Sequence, residues 1–319
     1  HLECFDPHEP FFAPARFREK YPTGYTGPTL DWPRYKRNEE TALEVQELRA
    51  NFAALLSMCD DYFGRWMDYM DKHDMWKDTT VVLTTDHGFL LAEHDWWGKN
   101  RMPFYNEISH IPLMIAHPAF AHKAGQRRQA LTQTTDLMPT LLDLHGLGAP
   151  GTAEGHSLLP LLEQDTKLRD AAIYGMFGAG TNITDGRYTY FRYPEDMTKQ
   201  DLYEYTLMPM HLKSMFAVAD LAQAELARGF NFTQGVPLLK VPARRNAKGQ
   251  PVGHTGQGSG YEDTTTVLFD LQSDPNQLNP IRDEAVEARL MSQIDSLMTK
   301  NDAPPEAFLR LGLTAPVKA

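Results

Sequence analysis

Four side chains in this sequence could do chemistry together: His8 in FDPHEPF, the adjacent Asp86 and His87 in LTTDHGF, and Lys99 in DWWGKN. An acid beside an imidazole offers one hard oxygen and one nitrogen, a donor pair that suits a divalent cation. The competing reading is local: a carboxylate capping the next turn beside a surface histidine. Side chains alternate across a strand, so neighbours face one site only where the chain turns, and Gly88 is expected to supply that turn. Pro7 and Pro10 restrict the loop that carries His8. Lys99 follows Trp96, Trp97 and Gly98, apolar surroundings in which little water competes for an ammonium. A cation, an ammonium and an imidazole meeting in one pocket suit a tetrahedral dianion or an anionic ester, because they neutralise charge at its oxygens. Taken singly, such a histidine or lysine reads as an ordinary surface residue.

These residues need elements to hold them. Val81, Val82 and Leu83 read as the middle of a buried strand that stops at Asp86. Before it, Val45, Leu48, Phe52, Leu55, Cys59, Tyr62, Trp66 and Met70 recur by threes and fours, which predicts one buried face of a long helix from about Thr41 to Lys72. A second strand is expected at Pro112 to Ile115, followed by a helix in TTDLMPTLLDLHG entered from a capping Thr-Asp. Strand and helix in alternation predict an α/β fold with a mostly parallel sheet flanked by helices. After about Pro160 the texture changes to short aromatic strands (AAIYGMFG, GRYTYFRYP, TTTVLFDLQSDP), which predict a smaller C-terminal antiparallel sheet of four strands and a final helix from about Asp283 to Thr299. The domains expected are therefore 1–165, the C-terminal part of a catalytic α/β domain, and 166–319, a smaller subdomain with a long insertion. Within that insertion a helix is expected near Ala217 to Arg228 and a mobile loop in NAKGQPVGHTGQGSGYED.

Composition narrows the partners. With Lys plus Arg at 31 against Asp plus Glu at 42, the net charge of −11 argues against a general nucleic-acid or anionic-membrane surface, although a local basic pocket stays open. No apolar run approaches the roughly 20 residues of a membrane span. Two cysteines, Cys4 and Cys59, are too few for a disulfide framework, and Cys59 lies on the apolar stripe of the long helix. The chain opens on what looks like the tail of a strand running into a Pro-rich loop, which reads as a larger protein cut short. Compartment stays open on this evidence, with bacterial cytoplasm and periplasm both compatible.

The segments FDPHEPF, LTTDHGFLLAEHDWWGKN, YNEISHIPLMI, TDLMPTLLDLHG with GHSLLPLL, and TVLFDLQSDPNQLNP occur in the order of sulfatase-family motifs. The chain thus resembles the C-terminal two thirds of a sulfatase, within the alkaline-phosphatase-like superfamily. The resemblance implies that Asp86 and His87 are ligands of a divalent cation, usually calcium, with magnesium or manganese as alternatives. It implies that Lys99 contacts the sulfate group and that His8 contacts it near the leaving oxygen as a candidate proton donor, a task that suits an imidazole. The family's nucleophile is a formylglycine made within a Cys/Ser-x-Pro/Ala-x-Arg motif. Neither Cys4 nor Cys59 has that context, and Ser273 in SDPNQ lacks the arginine. The formylglycine and further metal ligands are therefore expected upstream, and this chain alone is expected to bind calcium weakly and to hydrolyse no sulfate ester. The substrate implied is a small-molecule or carbohydrate sulfate ester. A phosphonate monoester or phosphodiester hydrolase is the nearest alternative, since those esters also carry one negative charge, and a non-catalytic binding domain is the other. Tyr203, Tyr205 and His211 in the insertion are weaker candidates for lining the pocket.

Overall fold

The computed structural model describes residues 1–99, 103–208, 210, 214–244 and 263–316. The chain forms two compact units, one of residues 1–101 and 106–125, the other of residues 102–105 and 126–319. The stretch 126–165 thus groups with the C-terminal unit. Among the described residues, no helix is long and apolar enough to cross a membrane.

The first unit runs through a short helix α1 (Ala15–Arg18), the long α2 (Ala42–Lys72), strands β1 (Val81–Thr84), β2 (Leu90–Leu91) and β3 (Trp97–Gly98), a one-turn helix α3 (Asn106–Ser109) and strand β4 (Leu113–Ala116). Thr41 starts α2 with a reciprocal cap: its side chain accepts from Glu44 N, and Glu44 Oε2 accepts from Thr41 N at 2.8 Å. That arrangement satisfies two backbone donors that a helix start otherwise leaves open. The first half of the expected stripe is core: Leu48 and Leu55 are buried with Phe11, Ala13, Phe17, Ala54 and Trp97, and Val45 and Phe52 pack against them. The second half is not uniformly so. Met70 is buried, but Tyr62 is half exposed, its ring covered by the Arg65 guanidinium at 5.0 Å.

The strand direction expected from sequence requires correction. β1 pairs with β4 in antiparallel register, Val82 opposite Ile115 and Leu83 opposite Met114. Every pairing between described strands is antiparallel, so the mostly parallel sheet is not found among the described residues. Alternation of apolar runs with helices fixes neither which strands neighbour each other nor their direction. Here the chain passes through the β2–β3 pair and α3 before β4 pairs with β1.

The second unit begins with α4 (Leu137–Leu144) and α5 (Leu159–Glu163). Asp136 precedes α4 but does not cap it. Its fully buried carboxylate accepts from Arg169 Nη1 at 2.7 Å and Nη2 at 2.5 Å, from Gln133 N and from His156 N. Strands β5 (Ala172–Gly175), β6 (Thr181–Thr184) and β7 (Tyr188–Arg192) follow, then β8 (Tyr203–Thr206), a short α6 (Val218–Leu221), β9 (Glu225–Ala227), β10 (Leu238–Pro242), β11 (Val267–Asp270), α7 (Glu284–Lys300) and α8 (Pro305–Leu309). The four-stranded antiparallel sheet expected at the C-terminus is present, in the order β11-β7-β6-β5. Ile183, Tyr190 and Leu268 on one face pack on Leu290, Ile294 and Met298 of α7, which Asp283 caps through Ala285 N and Val286 N. The helix expected near 217–228 is only one turn long, because Glu225, Leu226 and Ala227 pair with β10 instead. The segment expected to be a mobile loop, 246–263, lies outside the described residues except for Asp263.

Candidate functional site

The loop that carries His8 is built from short backbone bonds. His8 N donates to Phe5 O at 3.0 Å, closing a turn, and Phe11 N donates to Asp31 O. Phe11 then anchors the loop in the core, edge-on to Phe52 and Phe89. The His8 ring is one-third exposed and lies 4.6 Å from the Phe5 ring.

Lys99 arrives by a different route. β2 and β3 form a tight antiparallel pair with Leu90 opposite Gly98, which places Lys99 beside Phe89. Its Nζ sits 5.9 Å from the Phe89 ring centre. The turn between those strands needs left-handed backbone at Ala92, His94 and Asp95. A third chain segment runs along β3: Trp97 N donates to Lys36 O at 2.9 Å, and Trp97 Nε1 to Asn38 Oδ1 at 2.9 Å. That segment lays the Tyr35 ring on Gly98. With φ at +102° and only 2.5 Å between an added Cβ and Tyr35 Cδ1, position 98 accepts glycine alone.

The three segments meet at Glu9. Its side chain is fully buried; Oε2 lies 3.1 Å from His8 Nδ1 and 3.5 Å from Lys99 Nζ, and Oε1 accepts from the Tyr35 hydroxyl. Lys99 is itself 8% exposed at the side chain, so the pair is shielded from solvent. Sequence reasoning singled out His8 and Lys99 and passed over Glu9 and Tyr35. The signal available for Glu9 was its place between His8 and Pro10, which says nothing about a lysine ninety positions away.

Asp86 and His87 form their own pair. His87 N donates to Asp86 Oδ1 at 2.9 Å, and His87 Nε2 lies 3.5 Å from Asp86 Oδ2. The Asp86 side chain is 81% exposed and that of His87 34%. Partial burial opposes ionisation of Asp86, but His87 and the local hydrogen bonds prevail and lower its pKa. Gly88 is needed here for a reason other than the one its sequence position implied. Its φ is not left-handed; instead, an added Cβ would lie 1.8 Å from Glu107 O of α3, while Gly88 N donates to Ile108 O at 2.8 Å. Glu107 is in turn tied to the buried His94 ring, 3.3 Å between Nε2 and Oε2. Burial opposes that carboxylate's charge as well, and the hydrogen bond from His94 outweighs it.

The structure therefore brings His8 and Lys99 onto one carboxylate and holds Asp86 and His87 against each other. The two pairs are joined through the chain at Phe89, two residues past His87. Among the described residues no group of three or more histidines, cysteines, aspartates or glutamates could hold a metal ion. Asp86 and His87 present one oxygen donor and one nitrogen donor side by side, the carboxylate well exposed. In the second unit Tyr205 donates to Glu306 of α8, and Lys240 Nζ of β10 lies 4.1 Å over the Tyr203 ring while pairing with Glu225 at 3.3 Å, so both tyrosines have partners within that unit. His211 lies outside the described residues.

Residues 5–147, which include all four candidates, match the family model described as Sulfatase, and residues 92–229 match that of the N-sulphoglucosamine sulphohydrolase C-terminal region. Residues 5–147 are thus sulfatase-family sequence. Among curated sulfatases, the N-acetylglucosamine-6-O-sulfatase of Bacteroides thetaiotaomicron is 28% identical over 239 residues, covering 69% of this chain and 42% of the relative. A protein solved in complex with its substrate D-glucosamine-2-N,6-O-disulfate aligns with a TM-score of 0.52 at 22% identity, over 82% of this chain and 42% of the other. The phosphonate monoester hydrolase of Agrobacterium radiobacter aligns with a TM-score of 0.56 at 18% identity, over 92% and 54%. The chain thus spans about half the length of these relatives or less. The structural matches establish the sulfatase-like α/β fold.

Proposed function

We propose that this chain supplies part of the site of a sulfuric ester hydrolase acting on a small-molecule or carbohydrate sulfate. The observation that carries the reading is the shared Glu9 carboxylate, which joins His8 and Lys99 inside the segment that matches the family. Lys99 offers its ammonium to the ester's oxygens. His8, anchored through Nδ1, turns Nε2 toward the leaving oxygen and can deliver a proton there. Asp86 and His87 would hold a divalent cation, calcium with magnesium or manganese as alternatives, which when bound would draw charge from the ester oxygens. Two donors fall short of the roughly six to eight that calcium takes. The formylglycine of this family would come from a motif that this sequence does not contain.

The test is turnover of 4-nitrophenyl sulfate and of glucosamine 6-sulfate by the full-length protein. His8→Asn and Lys99→Ala are each expected to lower kcat/KM by about 10²-fold or more. Variants that match the parent would end this reading. The fold shared with a phosphonate monoester hydrolase favours a second reading, because such esters and phosphodiesters also carry a single negative charge. If bis(4-nitrophenyl) phosphate is turned over orders of magnitude faster than the sulfate, the second reading replaces the first.

A further inference from the structure

We propose that Glu9 is a positioning residue that locks the His8 imidazole and the Lys99 ammonium into one unit and sets the charge that a bound anion meets. The inference rests on the roles given above to His8 and Lys99, and it is carried by geometry those roles do not require. A carboxylate with no exposed side-chain surface is stable only if its oxygens are filled, and here every partner belongs to the site: Lys99 and His8 on Oε2, Tyr35 on Oε1. Each arrives on a different chain segment, namely the turn after Phe5, the stretch beside β3, and the end of β3 itself. Tyr35 cannot drift, because its ring is pressed on Gly98 and lies edge-on to Phe89. The carboxylate is therefore held in rotation as well as in place.

Two consequences follow for the groups it holds. His8 Nδ1 also lies 2.8 Å from the Glu9 carbonyl oxygen, which can only accept, so Nδ1 carries the hydrogen and Nε2 is the nitrogen left for a guest. When Nε2 takes up a proton as well, the Glu9 carboxylate is the anion beside the resulting cation. For Lys99 the same oxygen is a counter-ion. An incoming sulfate ester thus meets an ammonium already offset by a buried charge, which restrains the grip on substrate while fixing where the ammonium points. Removing the Glu9 charge should therefore loosen placement and strengthen attraction at once. A residue that merely supported the fold would not separate these effects.

The experiment compares the ¹⁵N-labelled chain with its Glu9→Gln variant by proton–nitrogen spectroscopy at neutral pH. In the parent, the Lys99 ammonium and the His8 Nδ1–H are expected to give cross-peaks, because both protons are bonded and shielded from water. In Glu9→Gln the Lys99 cross-peak should vanish by exchange while the backbone pattern elsewhere is kept. Persistence of the Lys99 signal with an unaltered exchange lifetime overturns the proposal. Should Glu9→Gln fail to fold, Tyr35→Phe, which frees the other carboxylate oxygen, must shorten the Lys99 lifetime, and no change there overturns it equally. In the full-length enzyme Glu9→Gln is expected to lower kcat by about tenfold or more while KM stays the same or falls; a raised KM at constant kcat would contradict the charge argument. If the spectra change as expected but the full-length protein hydrolyses no sulfate ester, the proposed function fails and the positioning role stands. If it hydrolyses sulfate and the variant equals the parent in both constants and both spectra, only the positioning role fails.

Discussion

At the scale of single residues, the most constrained position near the site is Gly88. Any Cβ there would lie 1.8 Å from the Glu107 carbonyl, a backbone atom that cannot swing aside. Gly88→Ala must therefore push α3 away from the Asp86–His87 pair, breaking the bond from Gly88 N to Ile108 O on the way. The expected cost is about 1–3 kcal/mol, the usual range for forcing atoms into a packed site, and chemical denaturation would measure it. The sequence made Gly88 conspicuous by its place after Asp-His, but a turn-forming glycine and one required by close approach look alike in a string of letters. His8, Asp86, His87 and Lys99 stood out because each sits in a segment that resembles a sulfatase motif; taken singly, each reads as an ordinary surface residue. Glu9 and Tyr35 did not stand out, since an acid and a tyrosine in loops acquire meaning only when distant segments meet. Asp136 is a similar case. It sits where a helix cap is expected, yet its carboxylate is fully buried on Arg169.

Asp136 also links the residue scale to that of elements, because it fastens the entry of α4 to the segments around Gln133, His156 and Arg169. Burial opposes its charge, but the Arg169 hydrogen bonds and the two backbone donors prevail and depress its folded pKa below the ordinary carboxylate value. A depressed folded pKa means that the unfolded chain takes up the proton first. The contribution to stability is thus full above the ordinary carboxylate range and is lost as pH falls below it, through the folded value. Asp136→Ala leaves Arg169 buried without a counter-ion and is expected to cost about 3–5 kcal/mol. Its denaturation midpoint should also lose part of the parent's fall as pH drops below about 4, the ordinary carboxylate value. A milder loss is expected at the start of α2, where Thr41→Ala removes one half of a reciprocal cap and should cost about 1 kcal/mol, read as a lowered Tm. Helix periodicity and capping signals gave the extent of α2 and α7 to within a residue or two, since those signals are local. Strand direction was not legible, because pairing partners are chosen by tertiary contacts that an apolar run does not encode.

At the scale of the whole chain, the β1–β4 pair raises a competition between exposed apolar edges and net charge. All four residues of β1 are only half buried, Met114 on β4 is 60% exposed, and among the described residues each of these strands pairs with the other alone. Such an edge offers unpaired backbone groups to another copy of itself. The net charge of −11 opposes that encounter. The opposing term is screened by salt, with a Debye length that drops from about 30 Å at 0.01 M to about 3 Å at 1 M, whereas backbone pairing and apolar burial are not weakened by it. Self-association of the purified 319-residue chain should therefore grow as salt is raised, which sedimentation velocity would follow. Met114→Lys places a charge on the exposed side of β4 and is expected to suppress the effect at every salt concentration. Association that instead weakens with salt would mean that charge pairs, and not the β1–β4 edge, hold the copies together.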